Sequence, residues 1–282
     1  MARVSLASVA AIGAMLALAP LGTDTAWASP GDAEPATLTP VESRTVQMPD
    51  GWLATALTEH EGHLWFGAQA SRRPSVLQRY TADGQLLEQL RTETAGNVGG
   101  LAFCGQSMCN LDYGTNQRSG KSRLERLSTN GKLRHATPVV GGAHNTFGLA
   151  WNGSGFFQGH SPTVKPHSTI HRLDADGREI ARAEMPFYTR GLTWHQGELW
   201  VTSGPYAEIH VLDAKLQVVR SYRTSVSLVG LAFIDGQLFG LEQNANRVHR
   251  FQLPRPGVPS SLLAATTPTR HQADTGWAPW MQ

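Results

Sequence analysis

Several polar side chains of unlike chemistry occupy equivalent points of a repeated sequence pattern. Asp112, His160 and Glu242 each end the second apolar segment of a repeat, and Arg190 directly precedes the opening of another. Carboxylate oxygens and imidazole nitrogens suit Ca²⁺, Mn²⁺ or Zn²⁺, so Asp112, His160 and Glu242 predict a divalent-cation site. Alternatively, His160 or His144 acts as a general base, and Arg190 binds a carboxylate or a developing oxyanion.

A third interpretation of the same region is a rim of aromatic rings, supplied by Phe147, Tyr113, Tyr188 and Tyr206. Aromatic rims favour carbohydrates, whereas a compact set of acid, His and Arg favours catalysis or a metal. The sequence contains no GxSxG, HExxH or phosphate-binding loop. Two functions therefore stay open: conversion of a small molecule, and non-catalytic binding of a carbohydrate or a protein.

The elements that position these residues form a fivefold repeat. Each copy opens with an apolar strand, and the openings are Ala56, Gly100, Gly148, Gly191 and Gly230, which lie 44, 48, 43 and 39 residues apart. A period of about 40–50 residues with four short strands is typical of propeller blades. The sequence predicts an all-β fold, a β-propeller of five four-stranded blades. An open β-sandwich would not explain five copies in fixed order.

The fifth copy lacks a fourth strand, because Pro254-Arg255-Pro256-Gly257 follows its third strand directly. At the other end of the chain, Ser43–Pro49 resembles the fourth-strand sequence Arg182–Pro186. We therefore predict that Arg44–Met48 pairs with Val248–Phe251 and closes the ring, which removes exposed sheet edges.

The first residues read as an export signal. A basic start, an apolar run and Ala26-Trp27-Ala28 predict a signal peptide over residues 1–28. We expect a disordered lead-in over 29–42, the propeller over 43–253 and a Pro-, Thr- and Ala-rich tail over 254–282. The predicted location is secreted or periplasmic, with no membrane span after cleavage. A Cys104–Cys109 disulfide fits that compartment.

Composition narrows the class of partner. The 282-residue chain is 40% hydrophobic and 16% charged, with a net charge of +2 and no run of Lys or Arg longer than a pair. These values exclude whole-chain disorder and disfavour a coiled coil or a nucleic-acid partner. We expect a monomer that binds a small molecule or a carbohydrate.

The repeat lines, such as "GLAWNGSGFFQGH" and "GLTWHQGELWVTSGPYAEIHVLD", resemble the NHL, gluconolactonase/regucalcin and virginiamycin B lyase propellers over residues 51–253. The resemblance implies a propeller with its ligand at the mouth of the central channel. Where gluconolactonase-like enzymes place metal-binding Asn, this chain has Gly99, Phe147 and Val229. The last two copies also look like plant-type glutaminyl cyclotransferase, although Phe66 replaces the acidic residue of that family's first blade.

Overall fold

The computed structural model describes residues 35–70, 73–93, 97–113, 121–142, 146–161 and 167–254. The predicted signal peptide and the predicted tail beyond Pro254 lie outside the described residues. Within these ranges the chain consists of strands, turns and one short 3₁₀ segment, Gly204–Tyr206. In the part of the chain that the structure describes, no helix is long and apolar enough to cross a membrane.

The chain folds as a five-bladed β-propeller, as the repeat predicts. Blade 1 contains β3 (Leu53–His60), β4 (His63–Gln69), β5 (Val76–Tyr80) and β6 (Leu86–Arg91). Blade 2 contains β7 (Val98–Cys104), β8 (Ser107–Asp112), β9 (Lys121–Leu127) and β10 (Leu133–Gly142). Blade 3 contains β11 (Thr146–Trp151), β12 (Phe156–His160), β13 (Ser168–Leu173) and β14 (Glu179–Met185).

The remaining two blades also take strands from the N-terminal segment. Blade 4 contains β15 (Leu192–His195), β16 (Glu198–Ser203), β17 (Glu208–Leu212) and β18 (Val218–Thr224), with β1 (Ala36–Leu38) added at its outer edge. Blade 5 contains β19 (Leu228–Ile234), β20 (Gln237–Glu242) and β21 (Arg247–Phe251), and β2 (Pro40–Thr45) is its fourth strand.

Closure by the N-terminal strand is confirmed, but with different bounds. In the antiparallel pair of β2 and β21, Arg44 lies opposite Val248 and Pro40 lies opposite Phe251. The predicted segment, Arg44–Met48, begins too late, because antiparallel partners of residues after Val248 must precede Arg44. The predicted disordered lead-in therefore ends too late as well, since residues 36–38 and 40–42 lie in strands. Pairing with an open sheet edge overrides the turn-like composition of this segment.

The glycines that open the repeats allow the innermost strands to meet at the axis. The strands β3, β7, β11, β15 and β19 contact one another in a closed ring. A Cβ atom at Gly100 would lie 2.5 Å from the backbone nitrogen of Leu149, and one at Gly230 would lie 2.8 Å from that of Leu57. Because backbone atoms cannot withdraw, only glycine fits there. The axis is therefore narrow, which leaves its ends as the places for a ligand.

The core consists of apolar clusters in the seams between adjacent blades. Successive residues of a strand point to opposite faces, so each second strand contributes alternately to two seams. In β8, Met108 packs with Trp65 and Leu77 of blade 1, whereas Leu111 packs with Phe156 of blade 3. This alternation also decides where polar residues at the strand ends point.

The predicted disulfide is confirmed. Cys104 and Cys109 are bonded across the hairpin between β7 and β8, with their Cα atoms 6.2 Å apart. The bridge lies beside the apolar cluster between blades 2 and 3, which includes both cysteines.

Candidate ligand site at the channel mouth

The segment between blades 3 and 4 carries two of the side chains at the channel mouth, the end of the ring where the second strands finish. Its middle residue, Thr189, is fixed by Ser161, whose hydroxyl donates to the Thr189 carbonyl at 2.9 Å and accepts from its amide at 3.1 Å. The next residue, Arg190, continues into the inner strand, where its amide donates to the carbonyl of Thr202 at 2.9 Å. The backbone on which Tyr188 and Arg190 stand is therefore fixed by the Ser161 hydroxyl at Thr189 and by backbone pairing at Arg190.

Five side chains from the first three blades and this segment touch in sequence, and we refer to them as the mouth cluster: Gln69, Tyr113, Phe147, Tyr188 and Arg190. The Arg190 guanidinium carbon lies 3.8 Å from the ring centroid of Phe147, in cation–π geometry. The rings of Tyr113 and Tyr188 lie 5.5 and 6.4 Å from that of Phe147. The Gln69 amide nitrogen lies 2.8 Å from the hydroxyl of Tyr113.

The electrostatics of the mouth cluster favour an oxygen-rich ligand. Burial raises the pKa of both Tyr113 and Tyr188, so both hydroxyls stay protonated, and that of Tyr113 donates to Oε1 of Gln69 at 3.0 Å. Among the described residues, no carboxylate lies within 4.0 Å of the Arg190 guanidinium. The cluster thus presents one cation beside the protonated Tyr188 hydroxyl, and this cation has no acidic partner among the described residues.

A β-bulge positions Phe147 at the centre of the cluster. The register of β11 against β12 shifts between Phe147 and Leu149, and Gly148 between them has φ +73°. A bulge re-aims the side chain beside it, and the left-handed conformation favours glycine. Equivalent register shifts occur near the start of β3, β7 and β19.

The structure places Asp112, His160 and Glu242 in three different seams rather than at one site. Each lies an even number of residues after a side chain of the same strand that packs on the preceding blade, and so points to the same side. Asp112 therefore faces blade 1, His160 faces blade 2 and Glu242 faces blade 4. Asp112 accepts a charged hydrogen bond from Arg123 at 2.8 Å, and Glu242 lies 2.8 Å from Nε2 of His249. Each carboxylate is thus bound by a side chain of the next strand in its own blade.

His160 also has a neighbour that the sequence did not predict. Its ring lies 6.1 Å from that of His171, and burial, with a smaller effect of His171, lowers the pKa of His160. Within the described ranges, no three His, Cys, Asp or Glu side chains form a group that could hold a metal ion. The predicted trio is therefore not assembled as a metal centre. The other predicted base, His144, lies outside the described residues.

Sequence reasoning missed two features. Gln69 lies one residue beyond the second-strand position that we compared among copies, and one residue reverses the direction of a side chain. The second feature is a buried polar residue at the same place in every third strand: Gln78, Glu125, His171, His210 and His249. The sequence did contain a signal for these residues, because each is a polar residue at the same position of an otherwise apolar third strand.

Comparison with known proteins supports the fold. No protein-family model matches the chain, and neither does any curated protein. Among solved structures, Myxococcus xanthus glutaminyl cyclase superposes with a TM-score of 0.59 at 14% identity, over 78% of this chain and 98% of that one. Virginiamycin B lyase from Staphylococcus aureus gives 0.42 at 14% identity, over 74% and 69%.

A third solved structure, BamB from Moraxella catarrhalis, gives a TM-score of 0.41 at 14% identity, over 71% of this chain and 59% of that one. The superposition on the glutaminyl cyclase, at a TM-score of 0.59, confirms the propeller resemblance as a likeness of fold. At these identities, function must be argued from the side chains of this chain.

Proposed function

We propose that the protein binds a small molecule at the channel mouth through a carboxylate or carbonyl group of that molecule. The observation that supports this proposal is the Arg190 guanidinium, whose carbon lies 3.8 Å from the Phe147 ring centroid beside Tyr188 and which has no acidic partner among the described residues. A ligand oxygen would accept from Arg190, while the hydroxyl of Tyr188 would fix its orientation.

The test is binding of small carboxylates and amides to the purified protein, measured by thermal shift and then by calorimetry. Arg190→Gln should weaken binding at least about tenfold, since a hydrogen bond to a charged group contributes about 1.5–3 kcal/mol. Arg182→Gln is the matched control, because Arg182 lies on the outer strand of blade 3 with a side chain that is 65% exposed. Equal loss in both variants, or no loss in Arg190→Gln, would contradict the proposal.

Conversion of the bound molecule is a finer proposal for the same site. Arg190 and a protonated Tyr188 would stabilise negative charge that develops on a carbonyl oxygen. The fold covers nearly the whole length of a glutaminyl cyclase, which makes an N-terminal glutaminyl peptide the first substrate to try. Loss of ammonia from this peptide, detected by mass spectrometry with the parent protein but not with Arg190→Gln, would support a cyclotransferase. An unchanged peptide would reject it and leave binding as the function.

A non-catalytic carbohydrate site is the second candidate, and Tyr206 favours it. This residue follows β16 at the mouth, and it is 53% exposed on the 3₁₀ segment. An exposed ring of this kind can stack on a sugar face. Glycan-array binding that is lost in Tyr206→Ala but kept in Arg190→Gln would favour this function over the first.

We further propose that the chain is exported and cleaved after Ala28, and that it acts outside the cytoplasm as a monomer. The disulfide supports this location, because such bonds persist in oxidising compartments. N-terminal sequencing of the protein from the culture medium or periplasm, with light scattering for its mass, tests both statements.

A further inference from the structure

Three side chains of blade 5, none of them in the mouth cluster, are joined by hydrogen bonds. The hydroxyl oxygen of Ser43 lies 2.7 Å from Nδ1 of His249, and Nε2 of His249 lies 2.8 Å from a carboxylate oxygen of Glu242. His249 is 3% exposed, whereas Ser43 is exposed on the outer strand β2. A buried imidazole thus connects a carboxylate to a hydroxyl that solvent can reach.

The carboxylate decides which nitrogen of His249 carries the proton. A carboxylate only accepts hydrogen bonds, so Nε2 of the neutral imidazole is the donor to Glu242. Nδ1 is then the unprotonated nitrogen, and the Ser43 hydroxyl donates to it. Transfer of the hydroxyl proton to that nitrogen would make the serine oxygen a nucleophile, while the Glu242 carboxylate would stabilise the imidazolium that forms. Hydroxyl, imidazole and carboxylate therefore stand in the order that serine nucleophiles require.

The backbone at Ser43 supplies a second donor beside the hydroxyl. The amide of Val46 donates to the carbonyl of Asn246 at 2.7 Å, so these two residues are a hydrogen-bonded pair of the antiparallel ladder. Such pairs alternate with non-hydrogen-bonded ones, so Ser43 and His249, three positions further along the register, are a non-hydrogen-bonded pair. The Ser43 amide therefore points to the outer edge of β2, which is the last strand of its sheet. From there it can donate to negative charge that develops on a carbonyl oxygen bound to the serine.

Blade 4 contains the same three residue types in a less complete arrangement. There Ser221 lies 2.9 Å from Nδ1 of His210, but the 3.3 Å contact between Nε2 and Glu208 lacks hydrogen-bond geometry. Ser221 is half-buried, and β1 pairs along the outer edge of this blade from Tyr222 onward. Of the two copies, the one in blade 5 combines an exposed serine, a fully hydrogen-bonded imidazole and an open sheet edge.

We propose that Ser43 is a nucleophile that cleaves small carboxylic esters, with His249 as its general base and Glu242 as the residue that positions His249. Oγ of Ser43 bonds to the ester carbonyl carbon as its proton passes to Nδ1 of His249. The bond from that carbon to the leaving alcohol then breaks, and Nδ1 gives the proton to the alkoxide oxygen. Water, deprotonated by the same nitrogen, releases the acid, and the proton returns to the serine. Because Ser43 stands on an open strand face, the acyl group is small.

Hydrolysis of p-nitrophenyl acetate and labelling by a fluorophosphonate test this proposal on the purified protein. In the labelling reaction the serine oxygen bonds to phosphorus and fluoride leaves, and peptide mass spectrometry locates the adduct. We expect the adduct on Ser43. Hydrolysis above the rate in buffer should fall at least about a hundredfold in Ser43→Ala, since general base catalysis contributes about 10²–10⁴-fold. Ser221→Ala is the matched control, and it should hydrolyse the ester and label at Ser43 as the parent does.

Glu242→Gln tests the positioning role, because it keeps the shape of the side chain but can hold His249 in the wrong tautomer. For the ester, kcat should fall at least about tenfold while KM and the melting temperature stay near those of the parent. Arg190→Gln at the channel mouth should leave ester hydrolysis unchanged, which separates this site from the proposed function. An adduct on another residue, hydrolysis that survives in Ser43→Ala, or an unchanged kcat in Glu242→Gln would overturn the proposal.

Discussion

Gly148 offers a sharp test of the argument that inner strands require glycine at the axis. An alanine Cβ at this position would lie 2.2 Å from Cδ1 of Leu192 and 2.9 Å from the carbonyl oxygen of Arg190. The Leu192 side chain can rotate away, but the Arg190 carbonyl belongs to the inner strand of the next blade. Gly148→Ala therefore forces a backbone shift beneath the mouth cluster.

The size of the effect can be divided into two parts. A left-handed φ costs an alanine about 1–2 kcal/mol, and added volume in a packed region costs about 1–3 kcal/mol. Gly236 isolates the first part, because it has the same φ of +73° and nothing within 4 Å of the added Cβ. Gly148→Ala should thus lower the free energy of unfolding by about 1–3 kcal/mol more than Gly236→Ala does.

Chemical unfolding of both variants beside the parent measures this difference. In a domain of this size each kcal/mol corresponds to about 2–4 °C in Tm, so a melting experiment resolves it as well. Gly148→Ala should also weaken ligand binding at the mouth, whereas Gly236→Ala should not. If the two variants lose equal stability, the axis has more room than the inner-strand contacts indicate, and the explanation of the repeated glycine is wrong.

Three further outcomes follow from the described contacts. Replacing Cys104 and Cys109 by Ser should lower the free energy of unfolding by about 2 kcal/mol, because the closed loop is short; reduction of the parent should reproduce this loss. Burial lowers the pKa of His160 and His171, so the unfolded chain binds more protons, and stability should fall as pH drops below the ordinary His value of 6.5. Urea unfolding at about pH 7.5 and about pH 5.5 checks this, and a His171→Gln variant with an unchanged pH slope would contradict it. Ser43→Ala removes the hydroxyl 2.7 Å from a buried imidazole nitrogen and should cost about 1 kcal/mol, whereas an unchanged melting temperature would refute that role.

The blade architecture could be predicted because the same sequence pattern, with the same structural requirements, occurs five times. The Gly-Leu-Ala openings, the turn glycines and the apolar alternation each mark a blade, and their agreement is stronger than any one copy. The missing fourth strand after Phe251 also predicted closure by the N-terminal segment. Its exact register could not be predicted, because several residues near Arg44 alternate in the same way and pairing with a distant strand selects among them.

The candidate site could be predicted only in part. The sequence predicted Arg190, Phe147, Tyr113 and Tyr188 at one end of the ring, and their side chains lie together there. Asp112, His160 and Glu242 were assigned to the same site because aligned copies share a position, but alignment fixes the place along a strand and not the face. The face depends on whether the residue lies an odd or an even number of positions from a strand residue that packs in a known seam. Partners such as Arg123 and His249, from other strands of the same blades, cannot be paired with these residues by spacing alone.

The order of synthesis gives the two N-terminal strands a further consequence. Strands β1 and β2 are made first, yet their partners, near Tyr222 and Val248, are made last. The Ser43–His249 bond joins residues 206 positions apart. Non-local pairing of this kind slows folding, since the entropy of closing the loop is lost before any contact forms. Blades 1 to 3 can form from local hairpins while β1 and β2 still lack their partner strands. Chaperone binding to a nascent chain should therefore concentrate on residues 36–45 until the last blade has emerged, and circular permutation that moves this segment behind Phe251 should speed folding without altering the final ring.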